Sequence, residues 1–212
     1  MLETLLPFLP AFAIAWGILL VGSSSPGPAV AMLMGLSLGQ GRAASVIACL
    51  GIACGSATIN VLTILGVGLI LSQAAWAMML LKLAGSAYLA YLAYGAFRKA
   101  IQPPTIAAQS VARQPVPALL AKGYLLQITN PKAIAFWLAI AAVGATANAP
   151  LWVIAVFVAS CAVLSFLCHA AWALALSAAP VRAAYQRTRR YVEGALGAFF
   201  AFAAYKLATS RI

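Results

Sequence analysis

The chain has 212 residues, 65% of them hydrophobic and 7% charged, with 13 Lys and Arg against 2 acidic residues and a net charge of +11. Soluble domains carry roughly a quarter charged residues, so this balance excludes an ordinary soluble domain and points to an integral membrane protein. The positive charge is not a nucleic-acid footprint, because the cations fall between apolar segments and no basic block alternates with stacking aromatics.

No charged residue stands between Glu3 and Arg42, between Arg42 and Lys82, or between Lys132 and Arg182. One helical span needs about 20 apolar residues, so these runs hold several spans. The first residues include Glu3 but no Lys or Arg. The basic region of a secretory signal is therefore missing, and the first apolar segment is expected to stay in the mature protein.

In chain order, turn-forming or polar clusters divide the sequence at "SLGQGR" (37–42), "LSQAAW" (71–76), "RKAIQPPTIAAQSVARQPVP" (98–117), "GATANAP" (144–150) and "APVRAAYQRTRR" (179–190). Six spans are predicted, at roughly 5–36, 43–71, 76–97, 118–144, 150–177 and 191–209. Short loops orient a membrane protein by their Lys and Arg. The first, third and fifth loops hold Arg42, then Arg98, Lys99, Arg113 and Lys122, then Arg182, Arg187, Arg189 and Arg190, whereas the second and fourth hold none. Both termini are thus expected outside and the basic loops in the cytoplasm, with 98–117 a flexible connector.

The two halves of this single transmembrane domain (1–212) resemble each other. "SPGPAVAMLM" in repeat one (about 1–100) has a counterpart in "NPKAIAFWLA" in repeat two (about 118–212), and "LKLAGSAYLAY" one in "EGALGAFFAFAAY". Three spans per half is an odd number, so the second half crosses in the opposite sense. The expected fold is all-α, six transmembrane helices as two inverted three-helix repeats, an architecture common among secondary transporters.

Ser25-Pro26 and Asn130-Pro131 share one local grammar: a side chain able to cap a helix, then proline at the first helical position. Each reads as a helix start inside a span, with Ser23, Ser24, Gln127 and Thr129 nearby to satisfy freed backbone. Such a break is tolerated only where protein or a wet cavity surrounds it, and it turns unpaired N–H groups and a positive dipole end toward that cavity. An anion such as a carboxylate is the natural ligand. The candidate binding residues are Ser25, Pro26, Gly27, Pro28, Asn130, Pro131 and Lys132. Gly27 allows close approach and Lys132 adds a full charge. The plainer alternative is that both prolines only kink long helices and Lys132 snorkels to an interface.

Lys82 and Glu193 stand at nearly matching places in the two repeats and are the further charge candidates. Glu193 is the one acid besides Glu3; it suits proton carriage, or else pairing with Arg189 or Arg190 one turn earlier. Cys161, Cys168 and His169 suit a soft metal, but a small buried hydrophobe is an equally physical reading of each cysteine, and no cluster completes a metal site. Cys49 or Cys54 with Cys161 or Cys168 keeps an intramembrane thiol–disulfide protein open as an alternative. Gly51 and Gly55 mark a face for close helix packing. No P-loop, dinucleotide fingerprint or Ser-His-Asp set is present, and the chain has no aspartate.

"SSSPGPAVAMLMGLSLGQGR", "LKLAGSAYLAYLAYGAFRK" and "LLQITNPKAIAFWLA", in this order and spacing, resemble the LysE/RhtB family of amino-acid exporters over nearly the whole chain. The resemblance implies a non-enzymatic inner-membrane protein that expels amino acids or related zwitterions, with proton antiport as the coupling. It places the family's motif at Pro26, Gly27, Pro28, Asn130, Pro131 and Lys132, and its third-span pattern at Lys82, Gly85, Tyr88 and Leu89. Two departures stand out: "GATANAP" where an aromatic Pro-Gln-Phe-like turn is expected, and Glu193 where such proteins often have asparagine. The partners this reading expects are a small amino acid, a proton, the bilayer and a second copy of the chain, with no cofactor, metal or nucleic acid. A heavy-metal or cation exporter of related architecture is the other alternative.

Overall fold

The computed structural model describes residues 2–73, 75–102 and 113–209, with side chains at 67–78, 81, 82 and 142 outside the described set. Among the described residues all regular structure is helical: α1 (Leu2–Leu5), a 3-10 turn (Leu6–Phe8), α2 (Leu9–Ser24), α3 (Pro28–Gly39), α4 (Arg42–Gln73), α5 (Ala75–Ile101), α6 (Val116–Thr129), α7 (Pro131–Ala142), α8 (Leu151–Ala175) and α9 (Ala179–Thr209). Leu2–Ser24, Arg42–Gly66 and Leu151–Ala175 are each long and apolar enough to cross a bilayer. By contrast α3 and α7 have 12 residues each. At 1.5 Å per residue they reach about 18 Å, well short of a hydrocarbon core of about 30 Å.

Most of the expected punctuation is present. Gly41, at φ 91°, turns the chain between α3 and α4, and Gly144 (φ 68°) and Asn148 (φ 57°) shape the connection from α7 to α8; glycine and asparagine tolerate this left-handed region best. The connector 103–112 lies outside the described residues. One expectation is corrected: "APVRAAYQRTRR" is not a loop but the first third of α9. Proline in the first turn starts a helix, and Ala, Arg and Gln sustain one, so the arginines mark where a helix is charged rather than where it ends.

The chain divides into two compact units. The first comprises Met1–Val67 and Ala108–Ser177. In it α2 packs on α7 and α8, and α3 on α6 and α8. One core cluster joins Phe12 and Leu19 of α2 to Trp137 of α7 and Phe157 and Cys161 of α8. A second joins Leu33 and Leu36 of α3 to Ala48, Cys49 and Ile52 of α4 and Ala173 of α8. Helices α4 and α6 approach backbone to backbone: a Cβ on Gly51 would lie 2.1 Å from the Leu120 carbonyl oxygen, and one on Gly123 2.1 Å from that of Ala48. The close-packing face expected at Gly51 and Gly55 is therefore used, with Gly55 against Tyr124 and Gln127.

The second unit comprises Gly68–Ala107 and Ala178–Ile212. There α5 and α9 pack along their lengths in antiparallel register, Gly197 against the Phe97 ring and Gly85 against Leu207.

Candidate functional site

Both proline motifs interrupt helices, for a local reason. A residue before proline is driven out of the helical region by clash with the proline Cδ. Ser25, before Pro26, is extended (φ −76°, ψ 131°), as are Gly27, before Pro28 (φ −170°, ψ −165°), and Asn130, before Pro131 (φ −76°, ψ 109°). Helix α2 stops, residues 25–27 lie outside any helix, and α3 begins at Pro28; α6 stops and α7 begins at Pro131.

The two breaks are finished differently. Asn130 caps α7 as expected, its Oδ1 accepting from Lys132 N at 3.1 Å. Ser25 does not cap α3, whose first proline is Pro28 rather than Pro26 and whose N-cap is Gly27. Instead Ser25 closes α2, donating through N to Val21 O (3.0 Å) and through Oγ to Gly22 O (2.8 Å). The expected common grammar thus holds at the second motif and shifts by two residues at the first. In α3 the first helical bond runs from Ala31 N to Gly27 O (3.0 Å), and in α7 from Ile134 N to Asn130 O (3.0 Å). The amides of Ala29 and Val30, and of Ala133, precede these bonds and have no partner within their helix.

Lys132 joins the breaks. Its Nζ donates to the backbone oxygen of Ser25 at 2.8 Å, a cation placed at the C-terminal, negative end of α2. A Cβ on Gly27 would stand 3.4 Å from that nitrogen, so glycine keeps the approach open. Around this contact lies a cavity of about 40 Å³ whose polar wall is Ser23, Ser25, Gln127, Asn130, Lys132 and His169. Where one water needs about 10–15 Å³, this is room for roughly three. The apolar wall includes Phe136 and Trp137, with Ala29 and Val30 from the start of α3.

Behind the cavity runs a buried polar chain. Gln127 Nε2 donates to Ser56 Oγ (2.8 Å), Ser56 and Ser165 share a hydrogen bond of 2.9 Å, and His169 Nδ1 bonds the Ser165 carbonyl at 2.8 Å. It ties α6, α4 and α8 together where apolar helices would slide.

Of the expected binding residues, Ser25, Gly27, Pro28, Asn130 and Lys132 line the cavity, whereas Pro26 and Pro131 act through the backbone. The Lys82 side chain lies outside the described residues; its backbone is part of α5. Glu193 is buried in α9, its Oε1 3.8 Å from Arg189 Nε, which is the ion-pair role open to it from the sequence. His169 and the aromatic pair Phe136 and Trp137 line the cavity as well, beyond the expected binding residues. The signal for His169 is Ser165 one turn before it, a polar face on an otherwise apolar helix. The four cysteines are free: Cys49 and Cys161 belong to different core clusters, Cys54 is exposed and Cys168 half-buried. Among the described residues no three of His, Cys, Asp or Glu converge as metal ligands.

Long apolar helices, together with short helices broken beside a small cavity that Lys132 lines, define a multi-pass membrane protein. A sequence profile of LysE type translocators matches residues 20–211, and the chain belongs to that family. Among curated relatives, the uncharacterized membrane protein YahN of Escherichia coli (strain K12) is 26% identical over 199 residues, covering 94% of this chain and 89% of its own. The threonine efflux protein of the same strain is 28% identical over 191 residues, 86% and 89% of the two chains. An uncharacterized membrane protein of Vibrio cholerae is 33% identical over 120 residues, 57% of this chain and 58% of its own. No solved structure matches.

Proposed function

We propose that the protein exports a small amino acid or related zwitterion from the cytoplasm by proton antiport across the bacterial inner membrane. The family and the threonine efflux relative support the substrate class. The observation that carries the reading is the bond from Lys132 Nζ to Ser25 O across the two helix breaks, on the wall of a cavity. A substrate carboxylate arriving there meets a full positive charge and the unpaired amides that begin α3 and α7, in surroundings of low dielectric where such attraction is strengthened. A hydrogen bond between two ions is roughly twice as strong as a neutral one, so a carboxylate competes well with Ser25 O for the ammonium. Once Lys132 turns to the substrate, the link between the breaks is released. Occupancy is thereby coupled to the freedom of α2 and α3 to move against α6 and α7.

The inverted-repeat, six-span reading is part of this proposal. It is supported by the exchange of partners in the first unit, where α2 of repeat one packs on α8 of repeat two while α6 of repeat two packs on α4 of repeat one. The orientation, with basic loops in the cytoplasm, rests on the Lys and Arg distribution.

The test is efflux from cells loaded with amino acids through dipeptides. Expression of the wild type should accelerate the loss of at least one small amino acid, and a protonophore should abolish that acceleration; if no amino acid leaves faster, the function assigned is wrong. K132A and N130A at wild-type expression should export it more slowly, and unchanged rates in both would remove the site assignment.

A further inference from the structure

The cavity holds a fixed cation but no carboxylate. The two acidic residues of the chain are Glu3, exposed in α1, and Glu193 of α9, and neither lines it. A zwitterion brings an ammonium group as well as a carboxylate, and the ammonium needs an acceptor. His169 is on the wall and is 5% exposed. Its Nδ1 bonds the Ser165 carbonyl (2.8 Å), which can only accept, so Nδ1 carries the hydrogen and Nε2 the lone pair of the neutral ring. The chain of Ser165, Ser56 and Gln127 holds the helices that set this orientation. Imidazole is also a side chain that can gain and lose a proton.

We propose that His169 is the exchange site of this transporter: its Nε2 accepts either the ammonium group of the substrate or the coupled proton, and never both. The inference rests on the exporter reading above and supplies its coupling. The imidazolium has no lone pair to offer, so protonation expels the ammonium, and binding of the ammonium expels the proton. That mutual exclusion is what antiport requires.

The electrostatic surroundings of His169 are simple. Helices α2 and α3 carry no ionisable side chain, and α7 carries only Lys132, which shares the cavity. Helix α6 carries Lys122 and Tyr124, α4 carries Arg42, Cys49 and Cys54, and α8 itself carries Cys161 and Cys168; none of these lines the cavity. The titratable groups on the wall are thus His169 and Lys132, and the H169N variant separates them.

The experiment measures the Kd of the purified full-length protein for each of the twenty common L-amino acids, L-threonine first, from pH 8 down to the lowest pH at which the protein stays folded. For the best binder the wild-type Kd should rise by about tenfold per pH unit once His169 is protonated, because one proton competes with one ligand. Binding should also release protons into weak buffer. The N-acetyl derivative, which lacks the ammonium, should show no such rise. H169N, whose amide can keep the bond to the Ser165 carbonyl, should bind more weakly and with a flat pH profile, and E193Q should retain the wild-type slope. A flat wild-type profile, a slope that persists in H169N, or a slope lost in E193Q would each overturn the proposal. If H169N does not fold, the imidazole NMR signals of the wild type, whose sequence has one histidine, decide the matter: substrate should drive them from the protonated to the neutral form, and unchanged signals would overturn the proposal. If none of the twenty amino acids binds the wild type, the exporter reading fails first and the inference falls with it.

Discussion

Replacing Gly123 by alanine should loosen the first unit. A Cβ there would lie 2.1 Å from Ala48 O and 3.1 Å from Ile52 N, both backbone atoms of α4 that no side-chain rotation can move aside. Contacts of real Cβ atoms begin at 3.0 Å, so α4 and α6 must part until that 2.1 Å reaches at least this value. A gap of 0.5–1 Å forfeits about a quarter to a half of each dispersion contact across it. Overpacking by itself costs about 1–3 kcal/mol. The same movement stretches the Gln127 to Ser56 bond, now 2.8 Å, worth roughly 0.5–1.5 kcal/mol. The expected loss is therefore about 2–4 kcal/mol, or very roughly 4–15 °C in Tm for a chain of this size. The assay is thermal unfolding of purified protein in one detergent at one scan rate. Gly17→Ala is the control: nothing lies within 4 Å of a Cβ there, in the middle of α2, and removing a helical glycine should leave stability unchanged or raise it by up to about 1 kcal/mol. If G123A melts with the wild type, the backbone approach of α4 and α6 is not as described.

Asn130→Ala removes the α7 cap and should cost about 1 kcal/mol of stability, read as a lower Tm alongside slower efflux. Gly27→Ala places a methyl 3.4 Å from Lys132 Nζ; amino-acid affinity should fall several-fold while Tm changes little, separating the ammonium position from folding. Ser56→Ala leaves Gln127 and Ser165 each short of a partner and should cost roughly 1–3 kcal/mol. The S56A/S165A double variant should melt clearly above the sum of the two single effects, since both act on one network.

Much of this was legible in the sequence because its causes are local. Proline forces extended backbone on Ser25, Gly27 and Asn130 wherever the chain goes, so the breaks were predictable from "SSSPGPA" and "ITNPKAI". The small face at Gly51 and Gly55 was equally plain, though not its partner α6. Two misreadings have local causes that a first signal hides. Both Pro26 and Pro28 satisfy the rule for a first helical residue, but Pro28 forces Gly27 out of the helical region, so the helix starts at Pro28. The arginines of 179–190 resemble a loop when charge is read as a break, whereas Pro180 starts a helix there and Ala, Arg and Gln sustain it. In the sequence His169 stands beside Cys161 and Cys168, whereas the residues that share its site, Lys132, Gln127 and Ser56, lie on three other helices. Sequence spacing carries no trace of that meeting.

The central claim is that Lys132, held at the paired helix breaks, receives the substrate carboxylate. It is tested most directly by measuring, for wild type and K132A, the Kd of the exported amino acid and of its carboxamide. The account predicts that the wild type prefers the carboxylate by at least about tenfold, the range expected of a charge-assisted hydrogen bond worth roughly 1.5–3 kcal/mol, and that the preference collapses in K132A. An equal preference in both proteins would contradict it.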